Sequence, residues 1–139
     1  MGGDRIVSFS PEETIEFAAK LAKTLSPNDV VLLTGELGAG KTTFVKGLLQ
    51  GFDSPDFAQS PTFVYLQIYE ASLPIYHFDL YRLAKPSDFL AMGFEEFFTK
   101  EGVCLIEWPE RILQLVPKSA IRIKLTALSE NERIIEMQR

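Results

Sequence analysis

Gly35-Glu36-Leu37-Gly38-Ala39-Gly40-Lys41-Thr42 fits the spacing G-x-x-x-x-G-K-[ST] at every fixed position. Glycines let a backbone wrap close to a phosphate with its N–H groups turned inward, because side chains there would block the approach. A helix that starts at the end of such a loop offers its positive N-terminus to the same anion. In this chemistry Lys41 reaches the β- and γ-phosphates, and the Thr42 hydroxyl is placed to ligate Mg²⁺. Gly35, Gly38, Ala39, Gly40, Lys41, Thr42 and Thr43 are the expected nucleotide contacts. The rival reading is a glycine-rich turn that matches by accident. It is disfavoured by the setting, an apolar run (Val30 to Leu33) directly before the loop and an amphipathic stretch directly after.

A Mg²⁺-nucleotide site also needs a carboxylate at the end of a neighbouring buried strand. Val103-Cys104-Leu105-Ile106-Glu107 is the better pattern, four apolar residues and then an acid. Ile75-Tyr76-His77-Phe78-Asp79 is the second, interrupted by His77. For each the plain alternative is a strand-end carboxylate that faces solvent or pairs with an arginine, and a direct or a water-mediated metal contact by Glu107 stays open. Ser60-Pro61-Thr62 falls between elements, where a hydroxyl can sense a γ-phosphate as switch loops do, or simply make a turn. His77, the only histidine, reads as a satisfied strand residue rather than a base. Cys104 reads as a buried small hydrophobe, and Phe94, Phe97 and Phe98 as core. Trp108 either stacks on a ligand or covers the sheet end.

The elements that must position these groups follow from local pattern. Arg5 to Phe9 is a short strand, and Ser10-Pro11-Glu12-Glu13 a capping box that opens a helix. Ile15, Ala18, Ala19, Ala22 and Leu25 share one face of that helix, which Pro27 ends. Val30–Leu33 reads as a strand buried on both faces, and Thr42 to Leu49 as a helix that stops at Gly51. Strands are expected at Phe63–Tyr69, Ile75–Leu80 and Val103–Ile106, with a broken helix over Ser87–Phe98 and a short one over Pro109–Leu115. Ile121–Leu125 and Arg133–Met137 alternate around a polar turn and predict a C-terminal antiparallel hairpin. Together these predict an α/β fold, a three-layer P-loop NTPase-like sandwich with a mixed sheet.

The chain has 139 residues, 46% of them hydrophobic and 24% charged, which predicts one ordered domain and excludes disorder for its bulk. Lys and Arg total 14 against 19 Asp and Glu, a net charge of −5 that argues against solitary binding of nucleic acid. One cysteine excludes an internal disulfide and multi-cysteine metal sites. With no signal segment and no long apolar run, the expected address is cytoplasmic, without membrane contact.

The loop in the form Gly-Glu-Leu-Gly-Ala-Gly-Lys-Thr-Thr (35–43), Ser60-Pro61-Thr62-Phe63, His77-Phe78-Asp79-Leu80-Tyr81-Arg82 and Glu107-Trp108-Pro109-Glu110 occur in that order. Together they closely resemble the TsaE (formerly YjeE) family of bacterial ATPases, over the whole chain. That resemblance implies a component of the machinery that adds threonylcarbamoyl to adenosine in tRNAs reading codons that begin with A. It implies ATP and Mg²⁺ as cofactors and slow hydrolysis alone. It also implies the TsaD–TsaB pair as partner, with tRNA met only through partners. By carry-over Thr42 and Glu107 would be magnesium ligands and Lys41 the phosphate lysine. Asp79 would be a catalytic residue at the γ-phosphate and Thr62 the switch residue, while Trp108 would border the nucleotide and Arg133 contact it. Two rivals remain: a small-metabolite kinase, for which no arginine-rich lid segment is visible, and a non-hydrolysing nucleotide sensor.

Overall fold

The computed structural model describes residues 4–56, 58 and 65–139. Its strands are β1 (Asp4–Ser8), β2 (Val30–Thr34), β3 (Leu66–Tyr69), β4 (Ile75–Asp79), β5 (Val103–Glu107), β6 (Ile121–Ala127) and β7 (Arg133–Gln138). Its α-helices are α1 (Pro11–Ala22), α2 (Lys41–Gly51) and α3 (Pro86–Ala91). The strands form one sheet in the order β1-β7-β6-β2-β5-β4-β3. The four central strands, β6, β2, β5 and β4, run parallel, and the pairings at both edges are antiparallel. Parallel strands covered on both faces favour near-continuous apolar runs; β2 and β5 have them, and β4 is fully buried with His77 interrupting its run.

Two cores flank the sheet. On one face α1 and α2 pack across β2 to β7 through Phe44, Leu48, Leu33, Leu105 and Ile123. On the other, α3 and its neighbours bring Phe89, Phe98 and Ile112 against Leu32, Phe78 and Ile106. No residue of β1, β6 or β7 belongs to this second core, so Arg122, Lys124 and Thr126 of β6 are exposed there. Cys104 lies buried in the second core, where desolvation pushes its thiol up to about 12. Among the described residues, no helix is long and apolar enough to cross a membrane.

Local pattern set several element ends. Ser10 caps α1 by accepting from Glu13 N at 3.1 Å, and Glu13 Oε1 reaches back to Phe9 N at 2.9 Å. The predicted break in the helix over Ser87–Phe98 falls at Gly93 (φ 74°), with a 3-10 segment (Phe94–Thr99) after it. The expected short helix over Pro109–Leu115 is instead two 3-10 turns, Pro109–Arg111 and Leu113–Leu115. Pro117 follows too closely for the chain to continue as an α-helix. β3 begins at Leu66, after Tyr65 at φ 63°, and the predicted start at Phe63 lies outside the described residues.

α1 and α2 lie unusually close. A Cβ on Gly47 would stand 2.5 Å from the Ile15 carbonyl oxygen and 2.7 Å from Ala18 Cβ. Glycine inside an exposed helix normally costs about 1 kcal/mol relative to alanine. Here the close approach reverses the sign: Gly47→Ala should destabilise the protein by about 1–3 kcal/mol through overpacking. Urea unfolding of the two proteins checks this, and an unchanged or raised midpoint would refute the tight helix contact.

Candidate functional site

The glycine loop follows β2 at its C-terminal end and leads directly into α2, as its sequence predicts. Gly40 occupies the position before the helix at φ 101°, a left-handed conformation that glycine adopts without strain. The first turn of α2 follows an N-cap residue, Gly40, that has no side chain with which to cap it. Its amide donors therefore face the loop's concavity, in the arrangement that suits an anion. Thr42 is exposed and Thr43 half-buried in that turn, and both line a cavity of about 520 Å³.

Strand alternation brings the carboxylates to the same cavity. In β5, Glu107 shares the α1/α2 side with Val103 and Leu105, and in β4 Asp79 shares it with Ile75 and His77. The register pairs Leu33 with Glu107 and Glu107 with Asp79, so both acids stand beside the loop that leaves β2. Both are buried, and Asp79 accepts a hydrogen bond from Tyr81 N at 3.1 Å. Glu107 Oε1 lies 3.9 Å from Lys41 Nζ, and Glu107 Oε2 lies 2.5 Å from His77 Nε2. Lys41 also donates to the Gly35 carbonyl at 2.8 Å, and its ammonium sits 4.4 Å from the Trp108 ring centroid. Trp108, at φ 59°, turns the chain out of β5 and packs on Tyr81 with ring centroids 4.9 Å apart.

Sequence reasoning placed Arg133 at the nucleotide, and it does line the cavity. Its guanidinium is directed to carbonyl oxygens, however. Nε donates to Ala39 at 2.8 Å and Nη2 to Gly38 at 3.1 Å, while Nη1 serves Ser129, Glu130 and Glu132 in the β6–β7 turn. The side chain thus bolts the phosphate loop to the C-terminal hairpin. The structure therefore brings together Lys41, Thr42, Thr43, Asp79, Glu107, Trp108 and Arg133, with Gly35 and Ala39 shaping the loop from behind. Thr62 lies outside the described residues. The grip of His77 on Glu107 was missed; a lone polar residue in a buried strand was the available signal, since such a group must find a partner.

A donor set of one lysine, two threonine hydroxyls and two carboxylates around an uncapped helix suits a phosphate chain with a hard cation. Among the described residues, no group of three or more His, Cys, Asp or Glu could hold a metal on its own. That fits an ion that takes few protein ligands and completes its shell with phosphate oxygens and water.

Removing the bolt should loosen the loop. Arg133→Ala is expected to lower stability by about 1–2 kcal/mol and to speed amide exchange in residues 37–40. Arg133→Lys should restore only part of this, because a point charge cannot replace a planar fork. Hydrogen-exchange mass spectrometry reads the outcome; unchanged exchange in the loop of Arg133→Ala would show that the hairpin does not hold it.

Residues 8–135 match the family model described as threonylcarbamoyl adenosine biosynthesis protein TsaE. A tRNA threonylcarbamoyladenosine biosynthesis protein TsaE from Treponema pallidum (strain Nichols) is 40% identical over 131 residues, 94% of this chain and 97% of that protein. The protein of the same name from Bacillus subtilis (strain 168) is 40% identical over 127 residues, 91% of this chain and 79% of its own. A crystal structure of Bacillus subtilis YdiB superposes with a TM-score of 0.83 at 33% identity, over 97% of this chain and 84% of that one. With this match running from the end of β1 into β7 and enclosing the whole phosphate-loop site, the chain belongs to the TsaE family.

Proposed function

We propose that this chain is the ATP-binding, slowly hydrolysing component of tRNA threonylcarbamoyladenosine synthesis, and that it acts with the TsaD–TsaB pair and meets tRNA only through it. The observation that carries the ATPase part is the convergence of Lys41, Thr42, Asp79 and Glu107 on one cavity at the C-terminal ends of β2, β4 and β5. The pathway rests on the names of the relatives, and the partner pair on the resemblance of the motifs.

Within that reading the chain's residues divide the work. The first-turn amides of α2 and the Lys41 ammonium bind the phosphates, and Thr42 and Glu107 hold the cation. Bound Mg²⁺ would supply charge neutralisation and orientation of the phosphate oxygens. Asp79, oriented by the Tyr81 amide, aligns the attacking water and takes its proton. Trp108 and Tyr81 form an aromatic wall at the cavity mouth. Phosphoryl transfer asks a protein mainly for positioning and charge stabilisation, and these groups provide both. Among the described residues, the guanidinium groups that line the cavity are those of Arg82 and Arg133, and Arg133 is bound to loop and turn carbonyls. Unassisted turnover should be slow, as for phosphate-loop enzymes that wait for a partner's arginine or closing loop.

Lys41→Ala should weaken ATP binding at least about tenfold, the loss of a charge-assisted contact. Asp79→Ala should keep binding and lose hydrolysis, whereas Glu107→Ala should raise the Mg²⁺ needed for half-maximal activity. Calorimetry and a phosphate-release assay separate these; reversed phenotypes of the two carboxylate variants would overturn the division of roles. Hydrolysis should rise severalfold when purified TsaD–TsaB is added and change little with tRNA alone. Stimulation by tRNA alone would sink the partner-dependent reading.

A further inference from the structure

The Glu107 carboxylate is not symmetric in its surroundings. Oε2 is tied to His77 Nε2 at 2.5 Å, and Oε1 is the oxygen on the Lys41 side, 3.9 Å from its ammonium. His77 is 1% exposed and Glu107 8%, so water does not compete strongly for this bond. At that distance Oε2 is committed to the imidazole, and Oε1 is the oxygen left toward the cavity. On the other side of the ring the Tyr69 hydroxyl stands 3.5 Å from Nδ1, and the two rings stack at 6.0 Å with 26° between their planes. Tyr69 is itself 1% exposed. The imidazole is therefore held in place on both edges, and it fixes the Glu107 side chain in turn.

We infer that His77 is a specificity-determining positioning residue, which makes Glu107 a one-oxygen ligand and so selects Mg²⁺ over Ca²⁺ at the nucleotide site. The inference rests on the Mg²⁺–ATP reading above. Ca²⁺ accepts six to eight oxygens and readily takes both oxygens of one carboxylate, whereas Mg²⁺ demands a compact octahedron and keeps its waters. A carboxylate with one oxygen committed to an imidazole nitrogen satisfies the second ion better than the first. Partners of this kind, one bond behind a ligand, commonly change metal affinity tenfold or more when removed.

Calorimetric binding of a non-hydrolysable ATP analogue to the full chain tests this, with Mg²⁺, with Ca²⁺ and with a chelator. His77→Gln places an amide N–H where Nε2 stands and should keep the preference for Mg²⁺. His77→Asn retains a polar group on the Tyr69 side and falls short of Glu107; its Mg²⁺-over-Ca²⁺ ratio should drop about tenfold, with thermal unfolding as the check on folding. An Asn variant that keeps the wild-type ratio overturns the inference, as does an equal loss in both variants, which would mark a packing effect. Wild-type protein that binds equally well with either ion overturns it without any variant. Wild-type binding that is the same in chelator removes the Mg²⁺–ATP reading itself, and the inference with it.

Discussion

Glu107 is a carboxylate buried where the central strands of the sheet end, and a charge in that position is costly unless it is met by partners at short range. Its partners come from far apart in the sequence: Lys41 from the start of α2 and His77 from the middle of β4. Both can reach it only if β5 lies between β2 and β4, all three in parallel and in the observed register. An exchange of two central strands, or a slip of one residue, would leave the acid buried without its cation or its imidazole. The sheet order and the site are thus one constraint. The apolar residues of β2, β4 and β5 drive burial, and the buried polar groups His77, Asp79 and Glu107 select the arrangement.

The edges of the sheet serve the same loop. β7 carries Arg133, which reaches past β6 to the carbonyls of Gly38 and Ala39. β7 is in turn paired along its length with β1, so the first strand of the chain braces the strand that braces the loop. α1 then crosses back to pack on α2 at the Gly47 contact. The α1/α2 face is closed over six strands, β2 to β7, while the opposite face is covered only over part of the sheet. The well-covered side is the one that carries Lys41, Asp79, His77 and Glu107.

What could be read in the chain beforehand was local. The phosphate loop, the capping box at Ser10, the apolar runs of β2 and β5 and the alternation of the final hairpin each depend on neighbours within a few residues, and each appears where expected. Strand order was not legible, because it is decided by pairings between residues some thirty to ninety positions apart. His77 was read as a satisfied strand residue, which it is, but the identity of its partner needed the register. The resemblance implied a nucleotide contact for Arg133; the targets of its guanidinium are loop and turn carbonyls, and backbone acceptors leave no trace in side-chain pattern. The 3-10 turns after Trp108 were read as a helix because hydrophobic spacing alone does not separate the two over seven residues.

Arg133 and Lys41 both contact the loop backbone, and their surroundings give them different tasks. Arg133 spends a rigid, planar set of donors on backbone oxygens, a pattern that fixes geometry and leaves little capacity for an incoming anion. Lys41 is held by one neutral carbonyl at 2.8 Å, by a carboxylate at the limit of ion-pair range and by the face of Trp108. None of these is a short contact between full opposite charges, which is what an ammonium makes with a phosphate oxygen. The lysine is therefore pre-positioned without being saturated, and its flexible stem lets the ammonium shift from the Gly35 carbonyl to an anion a short distance away. Were the roles exchanged, with the lysine fixing the loop and the arginine facing the cavity, the loop would be held by a single point charge. Separating the holding of the loop, by Arg133, from the binding proposed for Lys41 lets the loop keep its shape while the ammonium moves.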